Sequence, residues 1–307
     1  MHILVIKPSS LGDVVHGLQV VAIMKKHIKN LHIDWVIRDC FSDVVASSRL
    51  VDRILLFRRR TGVLAFFKLL RTIGERSYDV VLDMQGLARS GFMTLAAKSP
   101  RKIGRCDSRE MSRIFYNEKI AQSDSPHAID ILLQFLPKFG LNPQFEHALN
   151  FYADENFPRP DGPYVLLFPE SSRAEKQWPS FYKLAKNLAD AYPQLQIVLA
   201  GQNSTNWNLS KKNIVNLLGK TKLADILGLI KHCELVVAND SAPMHIGAAL
   251  QKKIVALFGP TDFQKYGPYP VQCDRHIILA ERDLKNLPVA DVFRACALQI
   301  DNFLHGH

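Results

Sequence analysis

The chain lacks several things that would have fixed its class at once. No hydrophobic run approaches the roughly 20 residues needed to span a bilayer. The opening Met1-His2-Ile3-Leu4-Val5-Ile6-Lys7 is too short and too strand-like for a secretory signal. Together these point to a cytoplasmic protein. Cysteine is sparse: Cys40, Cys106, Cys233, Cys273 and Cys296 form no C-x-x-C pair, and their number is odd. That argues against a zinc site or a disulfide framework and for reduced, structural thiols. No Asp-x-Asp occurs, the eleven histidines are scattered and the carboxylates do not pair at ligand spacing, so no metal is expected. The G-x-G-x-x-G fingerprint is absent after the first apolar run, which weakens a nicotinamide dehydrogenase reading. Helix-turn-helix, zinc-finger and RNA-binding signatures are missing as well.

What is present is a chain of 307 residues with 47% hydrophobic and 22% charged residues. Two domains of about 150 residues are the default for that length. The net charge of +10 calls for an anionic partner. Many of the cations fall in the first third, among them Lys25, Lys26, Lys29, Arg58, Arg59, Arg60, Arg71, Lys98, Arg101, Lys102 and Arg105. Nucleic acid, phosphorylated small molecules and an anionic membrane surface are the candidates. Without a nucleic-acid motif, a lipid headgroup fits at least as well.

Apolar runs alternate with segments of helical spacing. Strands are expected at 2–7, 33–37, 53–57 and 79–83, and helices at 11–29, 63–73, from about 88, and 129–136. The stretch 154–163, with three prolines and a glycine, reads as a linker. Beyond it strands are expected at 164–168, 196–200, 213–217, 235–238 and 254–258, and helices at 179–191, 223–230, 244–250 and 289–303. This is α/β alternation with parallel sheets. The domains read as 1–155 and 156–288, and a return of the terminal helix, about 289–307, onto the first is left open.

Four turns carry the chemistry-bearing residues. Ser9-Ser10-Leu11-Gly12-Asp13-Val14-Val15-His16 follows the first strand. Ser10 suits a helix cap and Asp13 suits a first helical turn, so each has a structural reading. Their functional reading makes Asp13 a general base on a substrate hydroxyl. A helix N-terminus lowers a carboxylate's pKa and weakens such a base, a tension that loss of water would have to offset. Ser171, Ser172, Arg173 and Lys176 follow the strand at 164–168 and suit a diphosphate, with Pro179 opening the next helix. Asn239-Asp240-Ser241-Ala242-Pro243-Met244-His245 again reads as strand, small-residue turn and helix start, a cradle for an anion or a sugar. Phe258-Gly-Pro-Thr-Asp262 ends a further strand, and Thr261 and Asp262 border the ligand in this reading. A fifth feature, the run Arg58-Arg59-Arg60, is either a solvated face or an acceptor-binding patch on the rim that carries Asp13. Two such strand-end sites, one per half, suggest a cleft between two domains.

These segments, with Asp-Met-Gln-Gly-Leu at 83–87 and Lys-Gln-Trp-Pro at 176–179, resemble in order the motifs of the ADP-heptose:lipopolysaccharide heptosyltransferases, glycosyltransferase family 9. The resemblance spans essentially the whole chain. It implies a GT-B fold, two Rossmann-like α/β domains whose parallel sheets face a central cleft. It implies inverting transfer of a heptose from ADP-heptose to a hydroxyl of the lipopolysaccharide inner core, with no metal or other cofactor. The catalytic aspartate falls on Asp13. Donor-binding positions fall on Ser171, Ser172, Lys176, Asp240, Ser241, Ala242 and His245. Ser9, Ser10, Arg58, Arg59 and Arg60 fall on the acceptor side, where the anionic, membrane-held acceptor makes peripheral attachment to the inner membrane the expected location. Two departures stand out. Ala242 replaces a frequent glycine, and the acid that some members place after the strand at 196–200 is not seen in Gly201-Gln202-Asn203-Ser204. A GT-B enzyme of other specificity and a non-catalytic nucleotide or glycan binder are the rival readings.

Overall fold

The computed structural model describes residues 1–59, 61–152, 159–204, 207 and 211–304. The chain divides into two units, Met1–Tyr152 and Ala153–His307. Half of the expected linker, residues 154–158, lies outside the described residues.

The first unit runs β1 (His2–Ile6), α1 (Leu11–His27), β2 (His32–Arg38), α2 (Ser42–Ser47), β3 (Arg53–Phe57), α3 (Gly62–Gly74), β4 (Val80–Asp83), α4 (Ala88–Ala96), β5 (Arg101–Gly104), β6 (Glu118–Lys119) and α5 (Ala128–Leu133). Its sheet is parallel in the order β3-β2-β1-β4-β5-β6. The unbroken apolar run of β1 is what a strand buried on both faces requires, and Ile3 to Ile6 have no exposed surface. Leu4 and Ile6 face one way and pack with Leu69 and Ile73 of α3 and Met93 of α4. On the other face α1 comes close enough for Gly17 to abut the Trp35 indole, where a Cβ would lie 3.1 Å from the ring.

The second unit runs β7 (Tyr164–Phe168), α6 (Phe181–Ala191), β8 (Gln196–Gly201), β9 (Ile214–Leu218), α7 (Leu223–His232), β10 (Leu235–Asn239), α8 (Ala242–Ala249), β11 (Lys253–Phe258), α9 (Phe263–Tyr266), β12 (His276–Ala280) and α10 (Val289–Leu304). Its parallel order is β12-β11-β10-β7-β8-β9. Counted from its own first strand, that is the doubly wound order of the first unit repeated. Among the described residues no helix is long and apolar enough to cross a membrane.

Two sequence expectations need correction. Pro179 does not sit in the first turn of α6. That helix begins at Phe181 behind Ser180, because the Trp178 N–H is held by Asn239 Oδ1 at 3.0 Å and its indole is buried. α10 buries Val292, Ala295, Cys296 and Ile300 in the core of the second unit. Strands β5, β6 and β12 and helices α2 and α9 were not anticipated; β5, Arg-Lys-Ile-Gly, offers a single strongly apolar residue to a pattern search.

Candidate active site

In a doubly wound sheet, ligands bind beyond the carboxyl ends of the strands where the strand order reverses. That point lies between β1 and β4 in the first unit and between β7 and β10 in the second. The loops leaving these four strands hold most of the residues singled out from the sequence.

At the first switch point Lys7 follows β1 and is only 2% exposed. Its carbonyl accepts from the Trp35 indole N–H at 3.2 Å, and its Nζ lies 3.7 Å from Asp13 Oδ2. Ser10 is the N-cap of α1, but its hydroxyl serves another purpose than a simple cap. Its N–H and its Oγ–H both donate to Asp13 Oδ2, at 3.0 and 2.9 Å. The Asp13 side chain retains 35% of its exposure. Burial acts to raise its pKa; the Lys7 ammonium, then His16 and the Ser10 hydrogen bonds, outweigh that and hold it at about 2.

The turn after β4 braces this loop. Asp83 is fully buried and accepts from the N–H groups of Gln85 and Gly86, both at 2.9 Å, and from the Tyr116 hydroxyl at 2.7 Å. Burial drives its pKa up in spite of those donors. Gly86 takes φ +71°, which this tight turn requires. Gln85 Oε1 in turn accepts from the Ser9 N–H at 3.3 Å. Thus the Asp-Met-Gln-Gly segment fixes the backbone that carries Ser9 and Ser10. Arg58 and Arg59 lie exposed just past β3, two strands from β1 on the same rim. Arg60 falls outside the described residues.

At the second switch point the pair is reversed. Asp240 is buried, 7% exposed, and Lys176 Nζ donates to its Oδ2 at 2.5 Å. Thr261 Oγ1 donates to the same oxygen at 2.6 Å, and Ser171 Oγ donates to the Asp240 carbonyl at 3.1 Å. Ser241 is the N-cap of α8, with Ala242 opening that helix and Pro243 next, where no N–H is needed. His245, half-buried, completes the first turn. Asn239, fully buried, ties the loops together by donating to the Pro169 carbonyl at 2.9 Å and receiving the Trp178 N–H. Gly259 explains the Phe-Gly-Pro-Thr segment: a Cβ there would stand 2.8 Å from the Glu175 carbonyl oxygen, so only glycine lets the 174–176 turn approach β11.

Ser171, Lys176, Asp240 and Thr261 are therefore joined by direct hydrogen bonds, and Ser241 and Ala242 stand at the head of the helix beside them. Ser172 lies exposed on the loop. Lys7, Asp83, Asn239 and Glu170 were not foreseen as site residues. The Glu170 carboxylate accepts from the N–H groups of Gln202 and Asn203, at 2.7 and 2.9 Å, so β7 supplies an acid to the turn after β8, where the sequence shows none. Among the described residues no group of three or more His, Cys, Asp or Glu is arranged to hold a metal ion.

Two doubly wound halves, one presenting a carboxylate and the other an ammonium beside a helix N-terminus, define an α/β group-transfer enzyme of the GT-B architecture. The profile of glycosyltransferase family 9 (heptosyltransferase) matches residues 66–293, and the chain belongs to that family. It is 25% identical over 293 residues to lipopolysaccharide heptosyltransferase 1 of Escherichia coli K12, covering 88% of this chain and 91% of that protein. It is likewise 25% identical over 284 residues to the lipopolysaccharide core heptosyltransferase OpsX of Haemophilus influenzae, covering 86% and 81%. The fold superposes on the structure of E. coli heptosyltransferase WaaC with ADP at a TM-score of 0.85, with 23% identity over 97% of this chain and 100% of that one.

Proposed function

We propose that the protein transfers a heptose from ADP-heptose to a hydroxyl of the lipopolysaccharide inner core, with inversion at the anomeric carbon. The second unit binds the donor. The observation that carries this reading is the Lys176 ammonium held on the buried Asp240 carboxylate beside the head of α8. An ammonium has three donors and Asp240 takes one, which leaves the others for phosphate oxygens. The helix N-terminus adds its own attraction for the negative charge that grows on the diphosphate as the sugar leaves.

Asp13 accepts the proton of the acceptor hydroxyl as that oxygen attacks from the face opposite the leaving ADP. A carboxylate held at about 2 is ionised throughout the physiological range but is a poor base. The transfer is therefore late. Once the new C–O bond has formed, the oxygen carries positive charge and its proton is strongly acidic, so a weak base suffices. Ser10 fixes the carboxylate's orientation. Ser9, Arg58 and Arg59 meet the acceptor in this reading, whose phosphates and acidic sugars are anionic and held at the inner membrane surface.

The test is turnover with ADP-heptose. Lys176→Ala is expected to lose about 10²–10³ in rate, the usual cost of removing one donor that stabilises developing charge. Near-normal turnover would remove Lys176 from the donor site. A thermal-shift panel of nucleotide sugars checks the donor, because only a ligand that binds the folded chain raises its melting temperature.

A further inference from the structure

The helix layer formed by α3 and α4 is apolar on both sides. Inward, Leu69, Ile73 and Met93 fill the core. Outward, α3 shows Val63, Leu64 and Phe67, with Leu64 85% and Phe67 61% exposed. The outward face of α4 adds Phe92 and Leu95, and the turn packed against that helix adds Met111 and Ile114. Large apolar side chains clustered on an outward helix face are ordinarily covered, and here they meet solvent. Of the twelve large apolar side chains exposed among the described residues, eight fall between Leu56 and Ile114.

The same segment is strongly basic. Residues 56–115 hold 13 Lys and Arg against 5 Asp and Glu. Four of the five acids are engaged within the unit: Asp79 accepts from the His2 N–H, Asp83 is buried, Asp107 binds Arg105, and Glu110 accepts from the Ala88 N–H. Lys68 and Arg71 share the outward face of α3 with Leu64 and Phe67, and among the described residues neither has an acid at ion-pair distance.

We propose that this α3–α4 face docks on an anionic phospholipid bilayer. Aromatic and aliphatic side chains enter the headgroup boundary while the surrounding lysines and arginines meet lipid phosphates. The charge selects this occupant over a second copy of the chain, since two such faces apposed would bring like charges together. The inference deepens the proposed reaction by giving the enzyme a way to meet a membrane-held acceptor, but it stands on the surface alone.

The experiment is co-sedimentation of the full chain with vesicles of phosphatidylcholine, with and without phosphatidylglycerol. The wild type is expected to pellet with the anionic vesicles and not with the neutral ones, and to be released by high salt as the charges are screened. Leu64→Ser/Phe67→Ser and Lys68→Glu/Arg71→Glu should each weaken anionic-vesicle binding by at least about tenfold, with melting temperatures unchanged because all four residues are exposed. Variants that bind like the wild type, or a wild type that ignores anionic vesicles, would overturn the proposal. So would light scattering that shows a dimer split by Leu64→Ser/Phe67→Ser, which would make the face a self-interface. Turnover on a soluble, delipidated acceptor separates the two readings. It should be unaffected in Leu64→Ser/Phe67→Ser, whereas a failure of the transferase reading appears as no turnover even in the wild type.

Discussion

The two switch points share a topology and invert its charge. In the first, a buried lysine, Lys7, underlies a partly exposed carboxylate, Asp13; in the second, a buried carboxylate, Asp240, underlies the less buried ammonium of Lys176. Each pair joins the loop after a central strand to its neighbourhood and offers one charge outward. The lesson is that a repeated frame fixes where a site falls, while the sign of the buried partner decides which chemistry it presents. In the proposed reaction the first unit offers a proton acceptor, and the second a grip on phosphate. The units differ in bulk charge too: residues 1–152 carry 22 Lys and Arg against 14 acids, and residues 153–307 carry 17 against 15.

The sharpest way to break this comparison is to neutralise the carboxylate of each pair, outward in the first and buried in the second. Asp13→Asn should cost about 10²–10⁴ in turnover, the range for loss of a general base, and leave donor affinity intact. Asp240→Asn removes the anion that fixes Lys176, so donor affinity should drop and turnover fall by about 10²–10³, measured by ADP titration and steady-state kinetics. The inner partner of the first pair sharpens the contrast. In Lys7→Met the main opponent of burial is gone and the Asp13 pKa rises from about 2, so the acid limb of kcat/KM should move to higher pH. Stability should follow the same sign. A depressed carboxylate pKa stabilises the fold above its ordinary 3.8 and loses that contribution as pH falls towards about 2. The wild type should therefore show a fall in melting temperature across that window that Lys7→Met lacks. The smallest effect belongs to Thr261→Val, which removes one hydrogen bond to a charged group and should weaken donor binding about tenfold.

Much of this frame was legible in the sequence. The strands at 53–57 and 164–168 were bounded correctly because each is a short apolar run; β7 is buried throughout, whereas β3, at the sheet edge, leaves Leu56 exposed. Asp13, Lys176 and Asp240 were visible because they lie in the polar segments that follow such runs and mark strand ends. Partners were not. Lys176 and Asp240 are 64 positions apart, and only the adjacency of β7 and β10 brings them together. Lys7 looked like an ordinary charged residue closing a strand, and no one-dimensional pattern says that it is buried. Ser10 was expected to cap a helix, which it does, but the bond from its hydroxyl to Asp13 depends on side-chain rotamers. The apolar stripe of α10 announced a helix without saying which sheet would take it up.

The central claim is a division of labour between the switch points, and the ADP dissociation constant of Asp13→Asn, taken beside its turnover, tests it most directly. The account predicts binding within about twofold of the wild type with turnover reduced by at least about 10². Surviving turnover, or a loss of ADP affinity that matches the loss of rate, would contradict it.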